Sequence, residues 1–190
     1  MEPSDLLRRV AEPLEKLGVR YAIVGSMASI AYGELRLTND VDVLMDLRPE
    51  RIGPFCSQFP APDFYLSQPP VESAVRKNFQ FNIIHPSSGL KVDCIIAGDD
   101  SFNQNQLDRA VIPPRDGGAY LVRIAEPEDV ILKKMEYFRI GESEKHVRDI
   151  CGIQKQQGDR IDCEYIRRWT EKMTLLEIWN VVLQRIAADQ

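Results

Sequence analysis

Two aspartates stand two residues apart in a segment that alternates polar and apolar residues. Asp40 and Asp42 alternate with Val41 and Val43, and residues i and i+2 of a strand point to the same face of a sheet. Two carboxylates on one face repel each other unless a cation neutralises them. Mg²⁺ binds carboxylate oxygens and keeps positions for substrate phosphates, so the pair predicts a metal site for phosphate chemistry.

A third aspartate and a glycine-serine junction favour this interpretation over the alternative, a solvated strand face. Asp93 lies between apolar residues in a later predicted strand, and we expect it beside the strand of Asp40 and Asp42. Gly25 and Ser26 lie between a short β-prone run and a predicted helix. Glycine permits close backbone approach, and the free N–H groups of a helix N-terminus bind anions. The sequence therefore predicts a phosphate site next to a site for a metal.

The elements that must position these residues are predicted from apolar periodicity and turn residues. We expect helices at 4–17, 27–32, 49–59 and 101–107, strands at 20–24, 40–45, 64–66, 79–84, 90–96 and 119–124, and an extended segment near Val111. The strands at 79–84 and 90–96 are predicted to form an antiparallel hairpin. From Pro127 onward the pattern predicts helices only.

This order predicts an α+β fold, with a mixed, mostly antiparallel sheet flanked by helices and a helical C-terminal portion. We expect a core at 1–125 and a helical portion at 126–190 packed on it. The chain has 190 residues, 44% of them hydrophobic and 28% charged, as in soluble globular proteins. No apolar run reaches the ~20 residues that cross a bilayer, and no secretory leader pattern opens the chain, so we expect a cytoplasmic protein.

The net charge of -5 argues against a dedicated nucleic-acid coat protein, because such a protein needs a basic excess to attract phosphates. It does not exclude a polyanion bound at a local site. Such a site must be built by the geometry of particular residues rather than by overall charge.

The spacing of these residues resembles the signature of a known enzyme superfamily. Val24-Gly25-Ser26 is followed, after thirteen residues, by Asp40-Val41-Asp42-Val43, with Asp93 on a later strand. This pattern resembles the DNA polymerase beta-like nucleotidyltransferase superfamily. Three further segments resemble its bacterial branch of abortive-infection toxin relatives and uncharacterised nucleotidyltransferases: 81–93, 127–135 and 148–150.

The resemblance implies a Mg²⁺-dependent reaction and gives the aspartates their roles. Asp40 and Asp42 would ligate two Mg²⁺ ions that bridge a nucleoside triphosphate (NTP). Asp93 would share the first ion and help to deprotonate the attacking hydroxyl. The nucleotidyltransferase core, residues 1–125, would then transfer a nucleoside monophosphate and release pyrophosphate, since two metal ions stabilise both oxygens of such a displacement.

The resemblance also implies which residues hold the triphosphate. Gly25 and Ser26 would bind it at the helix N-terminus, and Arg36 and Lys134 would contact it through their charges. From the residues alone, Arg36 is an ordinary loop residue and Lys134 an ordinary exposed helical lysine. The sequence leaves open the roles of three nearby charged residues, Arg139, Arg148 and Asp149.

Three functional hypotheses follow. The first is nucleotidyl transfer to a hydroxyl of tRNA, of a protein or of a small molecule, with a toxin role and an antitoxin partner implied by the resemblance. The second is a catalytically silent nucleotide-binding or antitoxin-like protein of the same fold. The third is a structural α+β domain with a fortuitous aspartate pair, in which Asp93 lies far from Asp42.

Overall fold

The computed structural model describes residues 2–38, 40–112 and 122–188. Contacts divide the chain into two units, the first containing Met1–Met27 and Thr38–Ala125 and the second Ala28–Leu37 and Glu126–Gln190. The segment Ala28–Leu37 groups with the C-terminal helices because Gly33 packs against the backbone of Gly152 and Ile153. The predicted division into a core at 1–125 and a helical portion at 126–190 stays a prediction.

The first unit contains the predicted mixture of helices and strands. Its elements are α1 (Pro3–Lys16), β1 (Tyr21–Val24), the start of α2 (Gly25–Tyr32), β2 (Asp40–Met45), α3 (Pro49–Cys56), α4 (Gln68–Lys77), β3 (Gln80–His85), β4 (Leu90–Ile96) and α5 (Ser101–Arg109). Helix α4 was not predicted, because Pro69 and Pro70 suggested a break. Both prolines lie in its first turn, where a fixed φ favours a helix and no N–H donor is needed.

The strands of the first unit form a mixed sheet in the order β1-β2-β4-β3. Strand β2 pairs antiparallel with β1 and parallel with β4, and β4 pairs antiparallel with β3. The parallel pair requires a crossover connection, which α3, α4 and β3 supply. The predicted α+β fold with a mostly antiparallel sheet is therefore confirmed.

Alternation along β2 and β4 separates a buried face from a polar one. Val41, Val43 and Val92 are fully buried, whereas Asp42 and Asp93 between them are half-buried. Because successive side chains of a strand point to opposite faces, the valines that fix the strands in the core also direct the aspartates outward on one face.

A short segment beyond the sheet lies against the outer edge of β1. The backbone N–H of Ile23 donates to the carbonyl of Arg123 at 2.8 Å, and that of Ala125 donates to the carbonyl of Ile23 at 3.0 Å. Val111 and Ile124 also pair, which agrees with the extended segment predicted near Val111. Of the strand predicted at 119–124, residues 119–121 lie outside the described residues.

The second unit contains α6 (Pro127–Gly141), α7 (Glu144–Gln157), α8 (Cys163–Lys172) and α9 (Leu176–Ala188), with a 3-10 turn at Gly158–Arg160. Helix α6 begins at Pro127, and its buried Asp129 accepts a hydrogen bond from the hydroxyl of Tyr165. This bond ties α6 to α8. Within the part of the chain that the structure describes, no helix combines the length and apolarity needed to cross a bilayer.

Four aromatic side chains pack together beside β3. The Phe55 ring lies 5.1 Å from that of Phe59 and 6.1 Å from that of Phe81, and the rings of Phe59 and Phe64 are 5.3 Å apart. Such ring pairs add to the stabilisation gained from burial. Through Phe55 and Phe81 the cluster packs α3 against β3.

Replacing Phe55 with alanine tests this cluster. Phe55 is fully buried, so Phe55→Ala should lower the free energy of unfolding by ~3–5 kcal/mol. Phe79→Ala, at a position that is 66% exposed, is the matched control and should change it by much less. Urea denaturation measures both, and equal losses would contradict the packing described.

Candidate active site

Strands β2 and β4 bring two of the three predicted aspartates together. In the parallel register Asp42 pairs with Asp93, and Asp40 pairs with Lys91. Paired strands lie about 4.8 Å apart, so the backbones of Asp42 and Asp93 are direct neighbours. The hypothesis of a fortuitous aspartate pair required Asp93 to lie far from Asp42, and this register does not fit it.

Gly25 lies directly against the side chain of Asp42. It follows β1 and begins α2 with a φ of +61°, and a Cβ placed on it would lie 2.0 Å from Asp42 Oδ2 and 2.7 Å from Asp42 Cγ. A side chain fits in that space only if the carboxylate of Asp42 moves. Glycine is therefore favoured at this position both by the left-handed backbone and by the position of the Asp42 carboxylate.

Ser26 occupies the second position of α2 and is buried. Together with Gly25 it places the N-terminus of α2 beside the aspartates, since Val24 pairs with Asp42 in the register of β1 and β2. Helix N-termini attract anions. The role of Gly25 and Ser26 in binding a triphosphate stays a prediction.

Both oxygens of the Asp93 carboxylate have partners on neighbouring strand positions. Lys91 Nζ lies 3.0 Å from Asp93 Oδ2. With its amide oriented to satisfy its neighbours, Asn82 donates to Asp93 Oδ1 at 2.7 Å. The hydrogen bond to Asp93 raises the pKa of Lys91, and the charges of Asp93, Asp40 and Asp42 act in the same direction, although partial burial opposes them.

The carboxylates of this face are ligands of the kind that Mg²⁺ prefers. Among the described residues, no three His, Cys, Asp or Glu side chains gather into a metal-binding group. Mg²⁺ is commonly held by one or two carboxylates together with waters and substrate phosphates, and Asp42 and Asp93 offer such a pair. The residues fit one ion, whereas a second ion and the ligand role of the exposed Asp40 rest on the resemblance.

In the second unit Arg36 and Lys134 both pair with Asp149. Lys134 Nζ lies 2.6 Å from Asp149 Oδ2, and Arg36 donates to both oxygens of Asp149 at 3.2 Å. Lys134 is only 3% exposed, so the expectation of an exposed helical lysine is wrong. Asp149 therefore organises the two cations that were predicted to contact the triphosphate.

The pKa values within this cluster follow from burial and pairing. Burial lowers the pKa of Lys134, and the bond to Asp149 opposes that shift without cancelling it. Burial also disfavours the charged form of Asp149, but its bonds to Lys134 and Arg36 outweigh this and lower its pKa. Asp149 is thus ionised well into the acid range.

The other charged residues considered from the sequence have local roles. Arg139 donates to the carbonyl of Met173 at 2.9 Å. Arg148 is exposed and lines a cavity of about 900 Å³ within the second unit, together with Lys155 and Asp159. Neither arginine joins the cluster of Arg36, Lys134 and Asp149 by a described hydrogen bond.

The face of β2 and β4 that carries Asp40, Asp42 and Asp93 is called the acidic face below. Sequence reasoning missed two residues of this face, Lys91 and Asn82. Lys91 precedes Asp93 by two residues on an alternating strand, which is a signal for the same face. Asn82 gave no such signal, because its position beside Asp93 depends on the register of the β3–β4 hairpin.

Gly25→Ala tests the contact with Asp42. Alanine at a left-handed backbone position costs ~1–2 kcal/mol of stability, and here its Cβ also displaces the Asp42 carboxylate. We expect a loss of Mn²⁺ binding, measured by isothermal titration calorimetry. Gly18→Ala is the matched control, because Gly18 has a φ of +63° and nothing within 4 Å of its added Cβ. It should lose similar stability but keep Mn²⁺ binding, and equal binding in both variants would contradict the contact.

Asp149→Asn tests the buried pairing. Removing the partner of buried Lys134 should lower the free energy of unfolding by ~3 kcal/mol at neutral pH. The pKa of Asp149 is lowered in the folded state, so its stabilisation is present above the ordinary carboxyl pKa and is lost as pH falls through the lowered value. The wild type and the variant should therefore converge in stability on acidification, as urea denaturation at several pH values measures. A constant difference down to pH 2 would contradict this.

Comparison with known proteins bears on the fold. No protein-family model and no curated protein matches the chain. Similar solved structures include an antigenic nucleotidyltransferase-like protein from Paracoccidioides brasiliensis, with a TM-score of 0.52 and 22% identity over 80% of this chain and 75% of that one. ANT(2")-Ia, solved in complex with adenylyl-2"-tobramycin, gives a TM-score of 0.59 and 14% identity over 90% of this chain and 98% of that one. JHP933 from Helicobacter pylori gives a TM-score of 0.50 and 15% identity over 97% of this chain and 75% of that one.

At these identities the likeness establishes the fold. The chain has the fold of nucleotidyltransferase-like proteins. The resemblance based on the spacing of Gly25, Asp42 and Asp93 implied this fold. The branch related to abortive-infection toxins stays a prediction.

Proposed function

We propose that this chain is a Mg²⁺-dependent nucleotidyltransferase that moves a nucleoside monophosphate from an NTP to a hydroxyl of an acceptor. The observation that carries the proposal is the register of Asp42 and Asp93 on parallel strands. The close packing of Gly25 against the Asp42 carboxylate supports it. The fold shared with nucleotidyltransferase-like structures agrees with it.

The proposed chemistry uses the two neighbouring carboxylates. Mg²⁺ bound there would neutralise charge on the triphosphate and on the leaving pyrophosphate. The acceptor oxygen attacks the α-phosphorus, the bond from that phosphorus to the bridging oxygen breaks, and pyrophosphate leaves with the electron pair. Asp93 takes the proton of the hydroxyl, and Asn82, which donates to Asp93 Oδ1, orients the carboxylate for that transfer.

The residues predicted to contact the triphosphate have different access to a ligand. Gly25 and Ser26 offer the N-terminus of α2 to the phosphates. The side chain of Arg36 is 28% exposed, whereas that of Lys134 is 4% exposed and buried with Asp149. We therefore propose that Arg36 contacts the triphosphate and that Lys134 positions it through Asp149.

The acceptor is proposed to be a small molecule, with tRNA and protein as the other two classes. ANT(2")-Ia, of which this chain covers 98%, was solved with a nucleotidylated small molecule. The toxin role, an antitoxin partner and a cytoplasmic location stay predictions. Incubation with each labelled NTP and separate fractions of small molecules, RNA and protein identifies the class, and label confined to RNA or protein would contradict the small-molecule proposal.

One observation favours the alternative, a catalytically silent nucleotide-binding or antitoxin-like protein. Lys91 pairs with Asp93, so a silent protein with this contact would need no catalytic ion to neutralise this carboxylate. Against it, three aspartates on neighbouring positions repel each other, and a protein without turnover has no physical need for them. A silent protein would show an NTP-dependent rise in melting temperature without pyrophosphate release.

Asp42→Ala tests the proposed activity. It removes one of the paired carboxylates, and we expect Mg²⁺-dependent pyrophosphate release to fall at least about a hundred-fold. Asp63→Ala, at an exposed turn, is the matched control and should keep the wild-type rate. A coupled assay of pyrophosphate with each NTP measures both variants. Unchanged release in Asp42→Ala would refute the proposed site.

A further inference from the structure

Lys91 pairs with a carboxylate of the acidic face. Its Nζ lies 3.0 Å from Asp93 Oδ2, and its backbone pairs with that of Asp40 across the parallel strands. Because residues 91 and 93 share one face of β4, the ammonium lies on the face that also carries Asp40 and Asp42. Its positive charge thus faces the negative charges of this face.

We propose that Lys91 is the internal counter-ion of this face in the metal-free protein, and that a divalent cation must displace it from Asp93 to bind. The inference rests on the proposed function. The inference goes beyond that function because it assigns to Lys91 the control of the protein's affinity for a divalent cation.

The position of Lys91 makes it a competitor of a divalent cation. Asn82 donates to Oδ1 of Asp93, and Lys91 contacts Oδ2. A cation shared between Asp42 and Asp93 needs an Asp93 oxygen on the face where Lys91 lies. It would then lie close to the ammonium, and the repulsion between the two positive charges favours movement of the lysine away from Asp93.

The properties of the lysine side chain make the displacement easy. Its ammonium is a compact charge on a flexible stem, and the side chain is already 42% exposed. It can turn into water without exposing apolar surface of the core. An arginine would hold the carboxylate with two parallel hydrogen bonds and would be harder to displace.

The inference predicts opposite effects of one substitution with and without metal. Lys91→Met keeps an unbranched stem but removes the charge. Without divalent ions it removes the cation that pairs with Asp93, so its melting temperature should fall below that of the wild type. With Mn²⁺ it removes the competitor, and the affinity should rise about five-fold, the equivalent of one partly exposed ion pair.

The experiment combines two measurements on the full chain. Isothermal titration calorimetry measures Mn²⁺ affinity, and differential scanning fluorimetry measures the melting temperature with and without Mn²⁺. Lys16→Met, at an exposed position in the last turn of α1, is the matched control and should behave as the wild type does. Asp93→Asn should weaken Mn²⁺ binding. A weaker affinity in this variant assigns the binding to the acidic face. If Lys91→Met does not fold, Lys91→Gln replaces it.

Each outcome decides between the claims. The inference is supported if Lys91→Met binds Mn²⁺ more tightly than the wild type does and has a lower melting temperature without metal. It is also supported if Lys91→Met binds Mn²⁺ and the wild type does not. Equal or weaker Mn²⁺ binding in Lys91→Met, with normal binding by the wild type, overturns the inference and leaves the proposed function standing. Absence of Mn²⁺ binding in both proteins, even with NTP present, overturns both.

Discussion

Repulsion between carboxylates on neighbouring strand positions is the constraint on which the rest of the site depends. Asp42 and Asp93 are direct neighbours across a parallel strand pair, an arrangement that costs free energy unless opposite charge or hydrogen-bond donors compensate it. Buried valines on the opposite face of the strands prevent the two backbones from moving apart. The ammonium of Lys91 and the amide of Asn82 then reduce the repulsion locally.

Much of the fold was accessible from the sequence because its elements carry strong local signals. The strand Asp40–Met45 has the predicted bounds, since alternating aspartate and valine is an unambiguous pattern of period two. Helix α4 was missed because Pro69-Pro70 is compatible with either a break or a helix start. That β4 lies beside β2 was expected only from the chemistry of their aspartates, and the parallel direction of this pair was not predicted, because strand order and direction are properties of tertiary packing and not of local sequence.

The candidate site was accessible in its acidic residues and less so in its charged partners. Asp42 and Asp93 each lie between apolar residues, which marks them in any alternating strand. The pairing of Asp149 with Lys134 joins two helices, and no spacing in the sequence reports it. For the same reason the burial of Lys134 was not foreseen: a lysine next to another lysine on an amphipathic helix is exposed unless a carboxylate from elsewhere compensates it.

The contact between Gly25 and Asp42 makes two distant sequence positions behave as one. Because a Cβ on residue 25 would lie 2.0 Å from the Asp42 carboxylate, a side chain at position 25 requires either that this carboxylate moves or that a shorter residue stands at position 42. Substitutions at the two positions are therefore expected to depend on each other in proteins that keep this backbone. A related chain with a larger residue at position 25 can be recognised, from its sequence alone, as one that no longer holds this carboxylate in place.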